Sequence, residues 1–329
     1  MGKNRRAVDV NRYFCHCDDL AAHYHRLFAL TQTEKTDVAQ WCSCAQTSLT
    51  NETTSRLEIL PMSSIQPDNQ CSLFPPLYAR TIGSGPDVAL VHGWGMHSGV
   101  WEDVVEALID DYRVTVMDLP GHGYSRGIDA GQTFPELAEA VAAVVPAPAV
   151  WIGWSLGGLI AQQVGVSMPK RISRLALVSS TPCFVQRPDW PHAVALPVLR
   201  QFAEELRQNH RAVLKRFVAL EVHGSDHAND QYRQLKALLF QHGEPDPVAL
   251  GKGLAMLESV DLRAELPRIA GSTLLLMGQR DQLTPAAAGE AMLKLLPDAR
   301  LRIFERAGHA PFFSHLPDFM AELRAFLDA

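Results

Sequence analysis

A serine between glycines is the residue whose type and spacing point most directly to chemistry. Ser155 lies in the run GWSLGG at 153–158, directly after an apolar stretch that resembles a strand. G-x-S-x-G between a strand and a helix is typical of a nucleophile elbow, a turn so tight that small residues must flank the serine. The pattern predicts that Ser155 is the nucleophile of a hydrolase, with its hydroxyl projecting from one edge of a sheet.

A serine hydroxyl needs a base to take its proton, and the base needs an orienting acid. In hydrolases with this elbow, the chain order is serine, acid, histidine. Asp281 follows a predicted buried strand at 272–278, and His309 follows the last predicted strand. The order and the positions at strand ends predict a triad of Ser155, His309 and Asp281. Asp118 competes for the role of acid, but it precedes the serine, and we interpret it as a structural residue of its loop.

Two segments are predicted to form an oxyanion hole. A helix that begins at Leu156 leaves its first backbone N–H groups free and directs the positive end of its dipole toward the serine. The run HGWG at 92–95 follows another predicted strand, and its glycines let the backbone come close. We therefore expect the N–H groups of Trp94 and Leu156 to bind the oxyanion, with the indole of Trp94 as a wall of the acyl pocket. The alternative is a glycine-rich connection whose tryptophan only packs.

Composition narrows the class of protein. The chain has 329 residues, of which 47% are hydrophobic and 20% charged, enough for one large core. No apolar run approaches the ~20 residues of a transmembrane helix, no apolar region follows the basic start, and the net charge of −6 argues against general nucleic-acid binding. The six cysteines form no disulfide pattern. We expect a cytoplasmic, monomeric enzyme with neither a membrane nor a nucleic acid as partner, and hydrolysis by a serine triad needs no metal or cofactor.

The first 75 residues differ from the rest. They are rich in Ser, Thr, Gln, Asn and Cys and lack strand alternation. We interpret residues 1–75 as a flexible extension or as sequence upstream of the true start, for which Met62 is a candidate. The Cys-x-Cys pairs at 15–17 and 42–44 could suggest a metal site, but zinc ligands usually have Cys-x2-Cys spacing. No metal site is predicted.

From residue 76 onward, strand-like and helix-like segments alternate, which predicts an α/β fold with a mostly parallel sheet flanked by helices. The sheet core is predicted at 76–180 and 263–329. Residues 181–262 carry apolar side chains at helical spacing and predict a helical lid (cap) inserted before the last strands, over Ser155. The main predicted elements are strands at 77–81, 88–91, 113–117, 150–153, 174–178, 272–278 and 300–304, and helices at 100–109, 133–145, 157–167 and 316–327.

Several sequence blocks resemble those of one enzyme family, the pimeloyl-[acyl-carrier protein] methyl ester esterases of biotin synthesis, within the α/β-hydrolase superfamily. The resemblance runs from about residue 77 to the C-terminus. It implies the α/β-hydrolase fold and a serine carboxylesterase that releases methanol from the methyl ester of pimeloyl-acyl carrier protein. The blocks that carry it are HGWG at 92–95, DLPG at 118–121, WIGWSLGG at 151–158, SSTPCF at 179–184 and GHAPF at 308–312.

The resemblance also implies roles for individual residues. It makes Ser155 the nucleophile, His309 the base, Asp281 the acid, and Trp94 and Leu156 the oxyanion donors. It further implies that five consecutive residues line the acyl channel, namely Phe217, Val218, Ala219, Leu220 and Glu221. The family commonly has Gln at the last of these positions.

The acidic carrier protein should dock on a basic surface. Arg216 and Arg233 match docking arginines of the family, whereas Asn229 stands where another arginine would be. The segment at 200–216 carries five basic and two acidic residues, a local excess of positive charge in an acidic protein. An ordinary solvated helix face explains the same pattern.

Other functions on the same fold remain open at the level of sequence. A general short-chain carboxylesterase or lipase would use the same triad, as would a C–C hydrolase or lyase acting on a pathway intermediate. A ligand receptor of the same fold is a non-enzymatic alternative. Dehalogenases and epoxide hydrolases are excluded, because they need Asp at the position of Ser155.

Overall fold

The computed structural model describes residues 76–129 and 133–329. The chain divides into two units, Met1–Gln66 and Pro67–Ala329, and the description below concerns the second. The predictions for residues 1–75, including the start at Met62 and the Cys-x-Cys pairs, fall outside the described ranges. Within those ranges, no helix combines the length and apolarity needed to cross a bilayer.

Seven strands form one twisted sheet at the centre of the fold. Their order across the sheet is β1-β3-β2-β4-β5-β6-β7, and only β1 is antiparallel to its neighbour. Every residue of β4 and β6 is buried, because helices cover both faces of a central parallel strand. The strands are β1 (Ala79–Ile82), β2 (Asp87–Val91), β3 (Arg113–Met117), β4 (Ala149–Trp154), β5 (Ile172–Val178), β6 (Thr273–Gly278) and β7 (Ala299–Phe304).

Helices flank the sheet, and three of them are inserted between β5 and β6. The predicted fold class, an α/β-hydrolase fold with a mostly parallel sheet, is confirmed. The helices are α1 (Glu102–Leu108), α2 (Phe134–Ala143), α3 (Leu156–Ser167), α4 (Leu196–Glu221), α5 (Ala228–Leu238), α6 (Pro247–Ser259), α7 (Ala286–Met292), α8 (Pro311–Ser314) and α9 (Leu316–Leu327).

Local sequence explains where individual helices begin. Thr133 and Glu136 form a reciprocal capping box at the start of α2. Asp246 caps α6 by accepting the N–H of Val248. The predicted helix at 100–109 is divided, because the His97 side chain accepts a backbone N–H at the start of a short 3-10 turn, and α1 follows that turn.

The inserted segment consists of α4, α5 and α6 with their connections, and we call it the lid. Its longest helix, α4, is interrupted at Asn209, whose backbone leaves the helical conformation. The Asn209 side-chain oxygen accepts the N–H of Ala212 and so caps the second half of the helix. Below the lid, parallel strands end at one edge of the sheet, where binding sites of α/β folds form.

Candidate active site

Ser155 occupies a strained turn between β4 and α3. Its φ of 54° and ψ of −118° are unusual for a residue with a side chain. The backbone N–H of Ser155 donates to the Val178 carbonyl at 2.9 Å. The backbone carbonyl of Ser155 accepts the Ser180 hydroxyl at 2.8 Å. Bonds to the neighbouring strand and its loop therefore hold the strained conformation in place.

The flanking glycines are required by close contacts. A Cβ at Gly153 would lie 2.5 Å from the Gly157 carbonyl oxygen, and a Cβ at Gly157 would collide with the Val91 carbonyl. Helix α3 thus begins directly above the ends of β2 and β4. As the first residue of that helix, Leu156 has an N–H without an intrahelical acceptor, close to the serine.

His309 and Asp281 form a buried pair at the ends of β7 and β6. The Nδ1–H of His309 donates to Asp281 Oδ2 across 2.7 Å, and neither side chain is exposed. Asp281 also accepts N–H groups from Leu283 and Thr284, and the Thr284 hydroxyl donates to Oδ2 at 2.5 Å. These bonds fix the carboxylate, which in turn selects the tautomer with Nδ1 protonated, so Nε2 carries the lone pair of a base.

The other ring nitrogen of the histidine is available. Nε2 of His309 is buried and has no hydrogen-bond partner among the described residues. Trp154, the residue before Ser155, connects the elbow to the loop that carries the histidine. Its Nε1 donates to the His309 carbonyl at 2.9 Å. The structure therefore brings the predicted base and acid together, and places the loop of the histidine against the residue that precedes the predicted nucleophile.

The loop after β2, residues 92–97, lies beside the elbow, and we call it the oxyanion loop. A Cβ at Gly93 would be 3.3 Å from the Ser155 Cβ, so this backbone is close to the nucleophile. The His92 ring holds the start of the loop, since Nδ1 donates to the Gly93 carbonyl and Nε2 accepts from Leu119. Trp94, next along the chain, is 1% exposed. The loop can therefore contribute a backbone donor opposite Leu156.

Asp118 has the structural surroundings expected for it. It is fully buried and accepts the N–H groups of Ser98 at 2.7 Å and Tyr124 at 2.8 Å. A Cβ at Gly123 would meet its carboxylate. Asp118 organises two loops and makes no hydrogen bond to His309.

An apolar cavity opens next to Ser155 between the sheet and the lid. Phe217 and Leu220 lie in its wall, Val218 is buried outside the wall, and Ala219 is exposed. The lining thus includes two of the five residues predicted for the acyl channel, because residues three apart share one face of a helix and the residues between them face elsewhere. The full lining is Ser155, Phe184, Val194, Val198, Leu199, Phe202, Phe217, Leu220, Leu254, Leu257 and Leu283.

Glu221, the fifth predicted channel residue, has a different position. Its side chain is 1% exposed, outside the cavity wall, and Oε2 has no partner among the described residues. Burial, with a smaller contribution from the negative charge of Asp281, raises the pKa of Glu221 well above its ordinary value. Its backbone carbonyl accepts the His309 N–H at 2.7 Å. The end of α4 therefore supports the loop that carries the histidine.

The two predicted docking arginines lie on the lid, and each already has a partner. Arg216 pairs with Glu205, and its guanidinium carbon is 4.4 Å from the ring centroid of Phe202, a cavity residue. Arg233 pairs with Asp230 one turn away on α5 and is largely exposed. A carrier protein that used these arginines would exchange one carboxylate partner for another.

Three potential metal ligands approach one another near the oxyanion loop, namely His97, Asp118 and His242. The two histidine rings are stacked, with centroids 4.0 Å apart and planes 28° apart. Imidazole lone pairs lie in the ring plane, so stacked rings direct them along separate planes rather than at one ion. Both nitrogens of His97 already bind backbone groups. This geometry suits a packing contact rather than a metal centre.

Sequence reasoning missed several residues around the site. Thr284 and Trp154 bond directly to triad residues. Leu250 and Gly253 of α6 contact Trp94. A threonine three residues after the predicted acid was a usable signal, because its hydroxyl can reach back to the carboxylate. The other contacts join residues distant in the chain, for which spacing carries no signal.

Comparison with known proteins agrees with this geometry. The family profile of the alpha/beta hydrolase fold matches residues 86–316. A pimeloyl-[acyl-carrier protein] methyl ester esterase of Xylella fastidiosa (strain M23) is 42% identical over 76% of this chain and 98% of its own. One of Stenotrophomonas maltophilia is 42% identical over 77% and 97%. An esterase from Exiguobacterium antarcticum superposes with a TM-score of 0.70 at 25% identity, over 77% of this chain and 96% of its own. The chain belongs to the alpha/beta hydrolase fold family and, within it, to the family of pimeloyl-[acyl-carrier protein] methyl ester esterases.

Proposed function

We propose that the chain is a serine carboxylesterase that hydrolyses the methyl ester of pimeloyl-acyl carrier protein to pimeloyl-acyl carrier protein and methanol. The observation that carries the reaction class is the buried bond from His309 to Asp281, with the other ring nitrogen unpaired beside a nucleophile elbow. The substrate is supported by the names of relatives 42% identical to the chain. The chemistry of the site is consistent with both.

In the acylation step, the Ser155 oxygen attacks the ester carbonyl while its proton moves to Nε2 of His309. The carbonyl oxygen becomes an oxyanion, which the N–H groups of Trp94 and Leu156 bind. Asp281 keeps the imidazole oriented and stabilises the positive charge that forms on it. His309 then gives its proton to the departing methoxy oxygen, and methanol leaves an acylated Ser155.

In the deacylation step, water attacks the acyl carbonyl and passes a proton to the same nitrogen of His309. The oxyanion forms again in the same hole, and its collapse breaks the bond to Ser155, whose oxygen takes the proton back from His309. The products are the free carboxyl end of the acyl chain and the regenerated serine. None of these steps draws on a metal or an organic cofactor.

The cavity beside Ser155 suits the methylene chain of a medium-length acyl group. Its walls are built almost entirely from Leu, Val and Phe side chains, which gain free energy by covering an apolar chain. Arg216 stands at Phe202 on the lid side of this cavity. We propose that Arg216 and Arg233 attract the acidic carrier protein, so that its acyl chain enters between the lid helices.

We further propose that the enzyme acts in the cytoplasm as a monomer. The one described cysteine, Cys183, is a buried free thiol, as expected of a protein from a reducing compartment. Size-exclusion chromatography and cell fractionation test these two statements.

The direct test is methanol release from methyl pimeloyl-acyl carrier protein by the purified protein. Ser155→Ala should retain the fold and lose activity to below about one ten-thousandth of wild type. Ser167→Ala, at the other end of α3 and exposed, is the matched control and should keep full activity. Brisk hydrolysis of p-nitrophenyl butyrate with little release from the carrier-linked ester would instead indicate a general short-chain esterase. Acylation without release of product would indicate a receptor.

A further inference from the structure

The lid is bonded directly to the oxyanion loop. Nε1 of Trp94 donates to the Leu250 carbonyl of α6 at 2.9 Å in a buried bond. Nε2 of His97, near the other end of the loop, lies 2.7 Å from the Leu238 carbonyl at the end of α5. An indole N–H only donates, so the direction of the first bond is unambiguous. Two lid helices thus contact the segment expected to stabilise the oxyanion.

One glycine of the lid faces both candidate oxyanion residues. Gly253 is three residues after Leu250 on α6. A Cβ there would lie 2.6 Å from Cδ1 of Trp94 and 3.7 Å from Cδ2 of Leu156. A methyl group at this position would displace the indole or move the helix away from it. The closeness of α6 to the oxyanion loop therefore depends on a missing side chain.

The indole also contacts a second lid helix. The Trp94 and Phe217 rings pack edge to face with centroids 4.9 Å apart, and Phe217 also lines the acyl cavity. The Trp94 indole is consequently in contact with both α4 and α6. A residue whose backbone is expected to bind the oxyanion has a side chain surrounded by the lid.

We propose that Trp94 is a positioning residue, whose bond to Leu250 couples closure of the lid to the geometry of the oxyanion hole. With α6 against the indole, the N–H groups of Trp94 and Leu156 are held where the oxyanion develops. With α6 displaced, the oxyanion loop loses its buried acceptor and its support, and turnover slows. This inference rests on the proposed esterase function and adds a regulation of the same site.

The physical basis is the sensitivity of catalysis to position. Removal of one oxyanion donor costs about 100-fold to 1,000-fold in kcat, and a misplacement of about 1 Å can cost about 100-fold. A buried indole N–H that loses its acceptor is left unsatisfied, and this cost favours the arrangement in which α6 lies against Trp94. A hydrogen bond made by the side chain can therefore control a donor on the backbone of the same residue.

The first test alters the lid and leaves the oxyanion loop unchanged. Gly253→Ala should lower kcat for p-nitrophenyl butyrate by about 10-fold to 100-fold, with KM within about twofold of wild type. Gly251→Ala is the matched control, since it lies two residues away on α6 with no atom within 4 Å of the added Cβ. Equal kcat values for the two variants would overturn the proposal.

The second test removes the donor from the indole. Trp94→Phe keeps an aromatic ring and the backbone N–H but removes the indole donor, so the bond to the Leu250 carbonyl is lost. Trp151→Phe is the control, because Trp151 is fully buried and its Nε1 has no partner among the described residues. We expect a loss of about 10-fold or more for the first variant relative to the second. If Trp94→Phe fails to fold, the alanine pair decides.

The third measurement separates a positioning role from simple packing. A trifluoromethyl ketone forms a tetrahedral adduct on the serine whose oxyanion occupies the hole, so its inhibition constant should weaken in parallel with kcat/KM. A variant that merely contains less folded enzyme would keep the wild-type inhibition constant, and that result would refute the proposal. If the wild-type protein hydrolyses no ester, the proposed function is refuted instead. The affinities of the two pairs of variants for the ketone would then still show whether the contact between α6 and Trp94 controls the oxyanion hole.

Discussion

Glu221 gives the most quantitative prediction, because it is a buried carboxyl group with no partner for Oε2. Its pKa is raised by burial and by Asp281, so the folded protein holds a proton on this group that the unfolded chain releases near its ordinary pKa of 4.5. Because the pKa of this acid is higher in the folded state than in the unfolded chain, the free energy of unfolding falls as the pH rises above 4.5. Glu221→Gln keeps the shape and removes the ionisation.

The size of the effect follows from linkage. Each pH unit above 4.5 costs the folded wild type about 1.4 kcal/mol until the folded pKa is reached. At pH 7, Glu221→Gln should therefore raise the free energy of unfolding by at most about 3.5 kcal/mol, and near pH 4.5 by almost nothing. Urea denaturation of both proteins at pH 5 and pH 8 measures the difference between their free energies of unfolding. Other titrating groups contribute equally to both proteins and cancel in this difference.

Glu204→Gln provides the control for this experiment, since Glu204 is an exposed carboxylate of the same helix, paired with Arg207. Surface pairs of this kind contribute less than about 1 kcal/mol. A stabilisation by Glu221→Gln that is equal at pH 5 and pH 8 would refute the reasoning. It would show that the ionisation of Glu221 does not destabilise the folded protein.

Three further predictions follow from the site. Asp281→Asn should lower kcat for p-nitrophenyl butyrate by about 10,000-fold, since an amide favours the wrong tautomer of the histidine; an unchanged kcat would remove Asp281 from the triad. Burial lowers the pKa of His92, His97 and His122, to about 3 for His92, so in the Glu221→Gln variant, which lacks the opposing effect of Glu221, stability should fall as the pH drops below about 6.5; a flat melting temperature of that variant between pH 7 and pH 5 would contradict this. Leu254→Trp should fill part of the acyl cavity, and the ratio of kcat/KM for octanoyl over acetyl esters should drop by about 10-fold or more.

The elbow could be predicted from the sequence because its constraints are local. Gly153 and Gly157 are excluded from carrying side chains by carbonyl groups within a few residues or at the end of an adjacent strand. A short pattern therefore records the whole turn. The order of serine, acid and histidine then singled out Asp281 and His309, since the first follows the buried strand β6 and the second follows the last strand, β7.

Contacts between distant segments had no such signal. The bond from Trp154 to His309 spans 155 positions, and that from Trp94 to Leu250 spans 156. Helical spacing predicted a helix across 217–221, and these residues form the end of α4. It did not show which residues of that helix face the cavity, because the rotation of a helix is fixed by its packing partners rather than by its own sequence.

The lid contacts both the loop that carries His309 and the oxyanion loop. At the end of α4, the Glu221 carbonyl accepts the N–H of His309, and a Cβ at Gly308 would come within 2.6 Å of that carbonyl. On α6, the Leu250 carbonyl accepts the indole of Trp94. The loop of the proposed base and the loop of the proposed oxyanion donor are thus each held by a lid carbonyl. A lid that opened fully would release both at once, so chemistry should proceed only in the closed arrangement, in which the same helices enclose the acyl chain.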